Sequence, residues 1–171
     1  MESALAAGIS TPDILARGVI HTTYDFYYLV MPYIEGVEAD VWMKTATPEA
    51  RLDFARRLTG LLCAVHGPQA RADLEPLRQQ ALENPRFAQY GETFRRQAAQ
   101  RLREMPLCAA VDVHGDLTGE NVLMDGEKII LLDFADGCRA PVWYEWPPLF
   151  ADLMAGDGAL IRLFVAGMPR E

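Results

Sequence analysis

His114-Gly115-Asp116-Leu117-Thr118-Gly119-Glu120-Asn121, followed by Leu131-Leu132-Asp133-Phe134, is the stretch on which the reading of this sequence turns. Valine alternates with aspartate just before His114, and Asn121-Val122-Leu123-Met124 leads into Asp125-Gly126 and the apolar run Ile129 to Leu132. Two short strands joined around a DG-type turn account for this pattern. Asp116 and Asn121 then lie in a loop between short β elements, and Asp133 sits at a strand end, where the scaffold holds a carboxylate still. Phosphoryl transfer asks for few side chains: a carboxylate to orient and accept the proton of an attacking hydroxyl, and hard oxygen ligands for magnesium beside the nucleotide phosphates. Asp116 suits the first role, and Asn121 with Asp133 suits the second. A metal-dependent hydrolase is the competing reading; His21 and His66 fit a surface strand and a helix end better, and no H-x-x-x-H spacing accompanies them.

The string HGDLTGENVL followed by LLDF resembles the catalytic and metal-binding segments of the aminoglycoside phosphotransferase family, which includes choline-kinase-like enzymes and has a protein-kinase-like fold. The resemblance implies an α+β chain: a partial small lobe of hinge-proximal strands, and a mostly helical large lobe carrying a catalytic-loop β-hairpin. It assigns Asp116 as catalytic base, His114 as the structural histidine of the catalytic loop, and Asn121 and Asp133 as magnesium ligands beside ATP. Tyr28-Leu29-Val30-Met31-Pro32-Tyr33-Ile34-Glu35-Gly36 resembles the family's hinge, with Met31 as gatekeeper, the Pro32 carbonyl and the Ile34 N–H gripping adenine. Proline is compatible with that register because no donor is required of residue 32. The helix end Leu61 to His66 resembles a family helix that braces the catalytic loop, and Glu145 stands where relatives carry an aspartate that anchors backbone N–H groups.

The resemblance also implies parts this sequence lacks. A glycine-rich phosphate loop and a strand lysine belong upstream of residue 1, and the only lysines, Lys44 and Lys128, match neither position. Residues 1–34 are therefore expected to be the remnant of a small lobe with its hinge, and residues 35–171 the core of a large lobe, the whole forming one partial unit truncated at both ends. Two functions are compatible with this: a kinase transferring the ATP γ-phosphoryl group with Mg2+ to a small hydroxyl-bearing substrate, or a non-catalytic kinase-like binding module that associates with itself or a partner through the open lobe surface.

Outward from the motif, residues 2–9 are rich in Ala and Leu and read as a helix stub ending near Gly8. Ile14 to Ile20 and the aromatic run Tyr24 to Met31 predict a strand pair closed by Pro32. After Glu35-Gly36 the chain turns helical. Thr47-Pro48 reads as a cap and first helical position, and Leu52, Ala55, Leu58, Leu62 and Val65 recur at helical spacing up to His66. A short helix is expected within 67–82 and another from Phe87 to Arg103. The aromatic and proline cluster Pro141 to Pro148 reads as a packing seam, ahead of a substrate wall. It precedes an apolar helix from Leu149 that breaks near Gly156-Asp157-Gly158 before Ala159 to Val165.

Composition bounds the rest. A chain of 171 residues, half of them apolar, builds one substantial core. A net charge of -8 argues against nucleic acid and acidic lipid as partners and is compatible with a cationic substrate. Three scattered cysteines without a CxxC pair indicate neither a disulfide framework nor a thiolate zinc site. With no basic apolar leader and no run of about 20 apolar residues, a cytoplasmic protein is expected.

Overall fold

The computed structural model describes residues 8–105 and 109–168. The helix stub expected over residues 2–9 lies largely outside them, as does Cys108; Gly8 itself is in a turn with φ 74°. Strands β1 (Ala16–His21) and β2 (Asp25–Val30) form an antiparallel pair in the register Ala16 with Val30 and His21 with Asp25. β2 ends before Pro32, as a residue without a donor requires.

Beyond the hinge, β3 (Val37–Glu38) is a two-residue strand that the sequence did not reveal. It pairs with β5 (Val122–Asp125), which pairs in turn with β6 (Lys128–Leu131). The two-residue loop of that hairpin is Gly126-Glu127, one position later than the Asp125-Gly126 reading, because Gly126 takes the left-handed φ of 58° that a tight hairpin needs. β4 (Val111–Val113) pairs with β7 (Cys138–Ala140), so the chain on either side of the hairpin is tied at its base.

Helix α1 (Ala39–Thr45) comes directly after β3, and α2 runs from Pro48 to His66. Thr47 caps α2 by accepting the Ala50 N–H, and Pro48 occupies the first turn, where its missing donor costs nothing. Phe54, Leu58, Leu62 and His66 recur every four residues and are buried, which turns one α2 face onto the core. Opposite lies α5 (Gly158–Gly167), started by Asp157, which accepts from Ala159 and Leu160, with Leu160 and Phe164 buried. The intervening α3 (Glu75–Glu83) and α4 (Glu92–Glu104) have no buried residues. α4 starts at Glu92 instead of Phe87 because Pro85–Gln89 forms a separate 3₁₀ turn ending at Tyr90.

One core cluster joins Phe54, Leu58 and Leu62 of α2 with Val122 and Leu131 of the hairpin, Leu149 and Leu153, and Phe164 of α5. Leu117 belongs to it and is fully buried. Burying Leu117 anchors the loop in the core at the residue after Asp116, at a transfer gain of roughly 1.5–3 kcal/mol.

Candidate active site

The loop from His114 to Asn121 leaves β4 and enters β5 through a 3₁₀ turn, Gly119–Asn121. Asn121 Nδ2 donates to the Asp116 carbonyl oxygen at 2.9 Å and to Asp116 Oδ2 at 3.0 Å, so these two sequence-predicted residues touch. With its NH₂ committed to Asp116, the side-chain oxygen of Asn121 is the end left for a cation. The Leu132 N–H donates to the Asn121 carbonyl at 2.8 Å, and Leu132 immediately precedes Asp133. Asp133 adopts a left-handed φ of 51°, rare outside glycine, and accepts the Ala135 N–H at 3.1 Å.

His114 is fully buried. Its Nδ1 lies 3.4 Å from the Asp116 N–H and its Nε2 lies 2.6 Å from the Leu132 carbonyl. One neutral tautomer serves both contacts, with the proton on Nε2 and Nδ1 accepting. The ring also packs on Phe134 at a centroid distance of 4.4 Å. His114 therefore ties the loop to the strand end that carries Asp133.

Glu145 is fully buried and accepts the His114 N–H through Oε1 and the Gly115 N–H at 3.2 Å through Oε2. His66, at the end of α2, stands with Nε2 3.6 Å from the same carboxylate. Gly115 has φ 90°, and a Cβ there would come within 2.3 Å of the Asp136 carbonyl oxygen. Gly115→Ala is accordingly expected to lower stability by at least ~2 kcal/mol, since left-handed backbone alone costs roughly 1–2 kcal/mol and the turn after Asp133 must also retreat. A denaturant titration of the full chain measures this.

Asp152, on a π-helical turn (Leu149–Leu153), accepts the Gly119 N–H at 2.7 Å. Sequence reading passed over it. Its signal was a single carboxylate inside the apolar run Leu149 to Met154, seven residues after Glu145. A cavity of about 450 Å³ borders this anchor, walled by Asp40, Lys44, Arg51, Asp152 and Asp157. The Lys44 ammonium, hydrogen-bonded to Asp40 at 2.8 Å, holds that carboxyl below its ordinary range.

Of the residues expected to form the hinge, Met31 and Pro32 are exposed and Ile34 is half-buried, its carbonyl accepting the Gly36 N–H. Gly36 passes close to Leu123, and Val37 pairs with Met124, so the hinge exit is stitched to the strand that Asn121 leads into. Asp112 is exposed and ion-paired with Arg139 at 3.2 Å, and His21 pairs with Asp25 on the surface. Burial pushes the Cys138 thiol up, and Glu145 and Asp136 add to the shift, which suits a neutral thiol better than a nucleophile.

No cluster of three or more His, Cys, Asp or Glu able to hold a metal occurs among the described residues. Magnesium asks for no such cage, since it keeps several waters and takes one or two carboxylates together with substrate phosphates. The amide oxygen of Asn121 and the Asp133 carboxylate are hard donors of that kind.

N-terminal strands followed by a largely helical body around the His114–Asn121 loop form a protein-kinase-like α+β fold. The family model described as phosphotransferase enzyme family matches residues 3–166, and the chain belongs to that family. Similar solved structures include the GDP and kanamycin complex of APH(2")-IIia, with 18% identity, a TM-score of 0.67, and 95% of this chain and 62% of that one covered. Aminoglycoside-3'-phosphotransferase of type VIII is 21% identical at a TM-score of 0.67, with 97% and 68% covered. A choline/ethanolamine kinase family protein from Mesorhizobium loti is 21% identical at a TM-score of 0.60, with 99% and 60% covered. This chain thus spans about two-thirds or less of their lengths. None of the curated proteins matches it. Among the described residues no helix is long and apolar enough to cross a membrane.

Proposed function

We propose that this chain carries the proton-accepting and metal-holding side chains of an ATP-dependent phosphotransferase acting on a hydroxyl of a small substrate. The observation that carries it is the direct contact of Asn121 with Asp116, joined through Leu132 to Asp133. In this reading Asp116 orients the hydroxyl and takes its proton, and Asn121 and Asp133 hold Mg2+. The Pro32 carbonyl and Ile34 N–H grip adenine behind Met31, and His114 is the brace of the loop. Magnesium, when bound, neutralises charge on the transferring phosphoryl group. The net charge of -8 is compatible with a cationic acceptor. In this reading β1 and β2 belong to the small lobe, the segment after them is the hinge, and the described chain from residue 35 on is large-lobe core.

The test is magnesium-dependent ATP binding by the full chain, then transfer to a panel of amino alcohols and aminoglycosides. Asn121→Ala and Asp133→Ala are each expected to raise the Mg2+ requirement about 10–100-fold, the usual scale for damage to a metal site. ATP binding indifferent to magnesium in the unsubstituted chain would refute the assignment.

A second reading, a non-catalytic kinase-like module, draws support from the β1–β2 hairpin. Phe26, Tyr27, Tyr28, Leu29 and Val30 are all exposed, Tyr27 to 81%. β2 pairs only with β1 among the described residues, so its outer edge is open. An open apolar edge strand favours association. The chain is expected to self-associate at micromolar concentration by light scattering, and Tyr27→Lys with Leu29→Lys to return it toward monomer.

A further inference from the structure

We propose that Asp152 is a positioning residue for Asn121: with Glu145 it forms a two-carboxylate clamp that fixes the catalytic-type loop at both ends, and its loss loosens the metal-holding end selectively. The metal part of this rests on the reading of Asn121 and Asp133 given above.

The two carboxylates come from one chain segment and lie seven residues apart, Glu145 ahead of a short α turn and Asp152 on the π turn after it. Glu145 takes the N–H groups of His114 and Gly115 where the loop begins. Asp152 takes the Gly119 N–H, at 2.7 Å, where the loop closes into its 3₁₀ turn. Gly119 is buried, and a Cβ on it would come within 2.4 Å of Asp40 Cβ, so the backbone there is pressed against α1. The acceptor of its N–H is a charged carboxylate at short distance, which makes a strong bond. Gly119 opens the turn that ends at Asn121, whose own N–H returns to the Thr118 carbonyl at 3.2 Å. A shift at Gly119 is therefore delivered two residues on, to the amide oxygen offered to the cation.

Asp152 is well placed to hold position although it is exposed. The π turn beneath it is closed by the Met154 N–H donating to the Leu149 carbonyl at 2.9 Å, and Leu149 and Leu153 are both buried in the core. π-helical turns in globular proteins recur at functional sites, where an extra residue re-aims a side chain. Here the re-aimed side chain is the carboxylate on Gly119.

The experiment uses the full chain and its Asp152→Ala and Asp152→Asn variants. Amide hydrogen exchange at Gly119 should quicken at least about tenfold in Asp152→Ala and stay near the original rate in Asp152→Asn, whose amide oxygen accepts the same bond; exchange at Gly115, held by Glu145, should not change. The Mg2+ concentration that half-saturates ATP binding should rise about tenfold in Asp152→Ala, with magnesium-free ATP affinity unchanged and the asparagine variant largely rescued. Unchanged Gly119 exchange in Asp152→Ala overturns the clamp. Faster exchange with an unmoved Mg2+ midpoint, where Asn121→Ala does move it, reduces Asp152 to a purely structural role and overturns the positioning claim. A chain whose ATP binding ignores magnesium and is unmoved by Asn121→Ala overturns the metal reading and the metal half of this proposal with it, while Gly119 exchange still decides the clamp.

Discussion

Glu145→Ala is expected to cost the protein about 3–5 kcal/mol of folding stability, read from equilibrium urea unfolding of the full chain. Two backbone donors, on His114 and Gly115, end on this one fully buried carboxylate. Orphaning a buried donor costs roughly 1–3 kcal/mol, and truncation to alanine adds a cavity between α2 and the loop. Against a typical total of about 5–15 kcal/mol, that is a large share. Glu145→Gln should lose about half as much, because one carbonyl oxygen remains as an acceptor while the new NH₂ faces a donor. His66 gives a control. Its Nε2 lies 3.6 Å from the carboxylate, beyond hydrogen-bond length, so His66→Ala should cost mainly its packing. A loss under about 1 kcal/mol in Glu145→Ala would mean that solvent replaces the carboxylate at the two amides, contrary to the burial of Glu145 and His114.

The same residue marks how far the sequence can be read. Glu145 is expected as a backbone anchor because it stands where the resemblance places an aspartate and either carboxylate can accept N–H bonds, and the hydrogen bonds to His114 and Gly115 match that expectation. α2 is legible from Thr47-Pro48 and its four-residue apolar repeat, since capping and amphipathicity are local signals. β3 is not, because two residues carry no period; only pairing with Met124 and Leu123 across the sheet makes them a strand. The start of α4 differs from its sequence expectation for a related reason. Phe87 shares the helical spacing of residues 92–104, yet Asn84 accepts the Arg86 N–H and closes a separate turn first. Asp116, Asn121 and Asp133 stand out in the sequence, and Asn121 meets Asp116 through its own side chain, but the link from Asn121 toward Asp133 runs through the Leu132 backbone, where residue type leaves no mark. Asp152 escapes for the opposite reason: its role depends on a π turn that displaces it from ordinary helical spacing.

Asp116→Asn separates chemistry from scaffold. Asn121 Nδ2 donates both to the Asp116 backbone carbonyl and to Oδ2, and an asparagine at 116 keeps the first bond and offers its own amide oxygen for the second. The Asp116 N–H contact with His114 is a backbone contact and survives as well. Folding stability should therefore change by less than about 1 kcal/mol, because the isosteric amide keeps the acceptors that Asn121 uses. Magnesium-dependent ATP affinity should stay within roughly threefold, because Asn121 and Asp133 are untouched. What the amide cannot do is take a proton from an attacking hydroxyl. If the chain transfers phosphoryl groups, kcat is expected to fall about 10²–10⁴-fold, the usual contribution of a positioned general base. The split between kcat and binding is the diagnostic. Equal losses in both would assign Asp116 to holding nucleotide, and retention of more than a tenth of the original kcat would remove it as the base. Absence of transfer by both proteins, together with weak or absent ATP binding, would assign this chain to the non-catalytic reading, with the Asp116 to Asn121 contact serving the loop's fold alone.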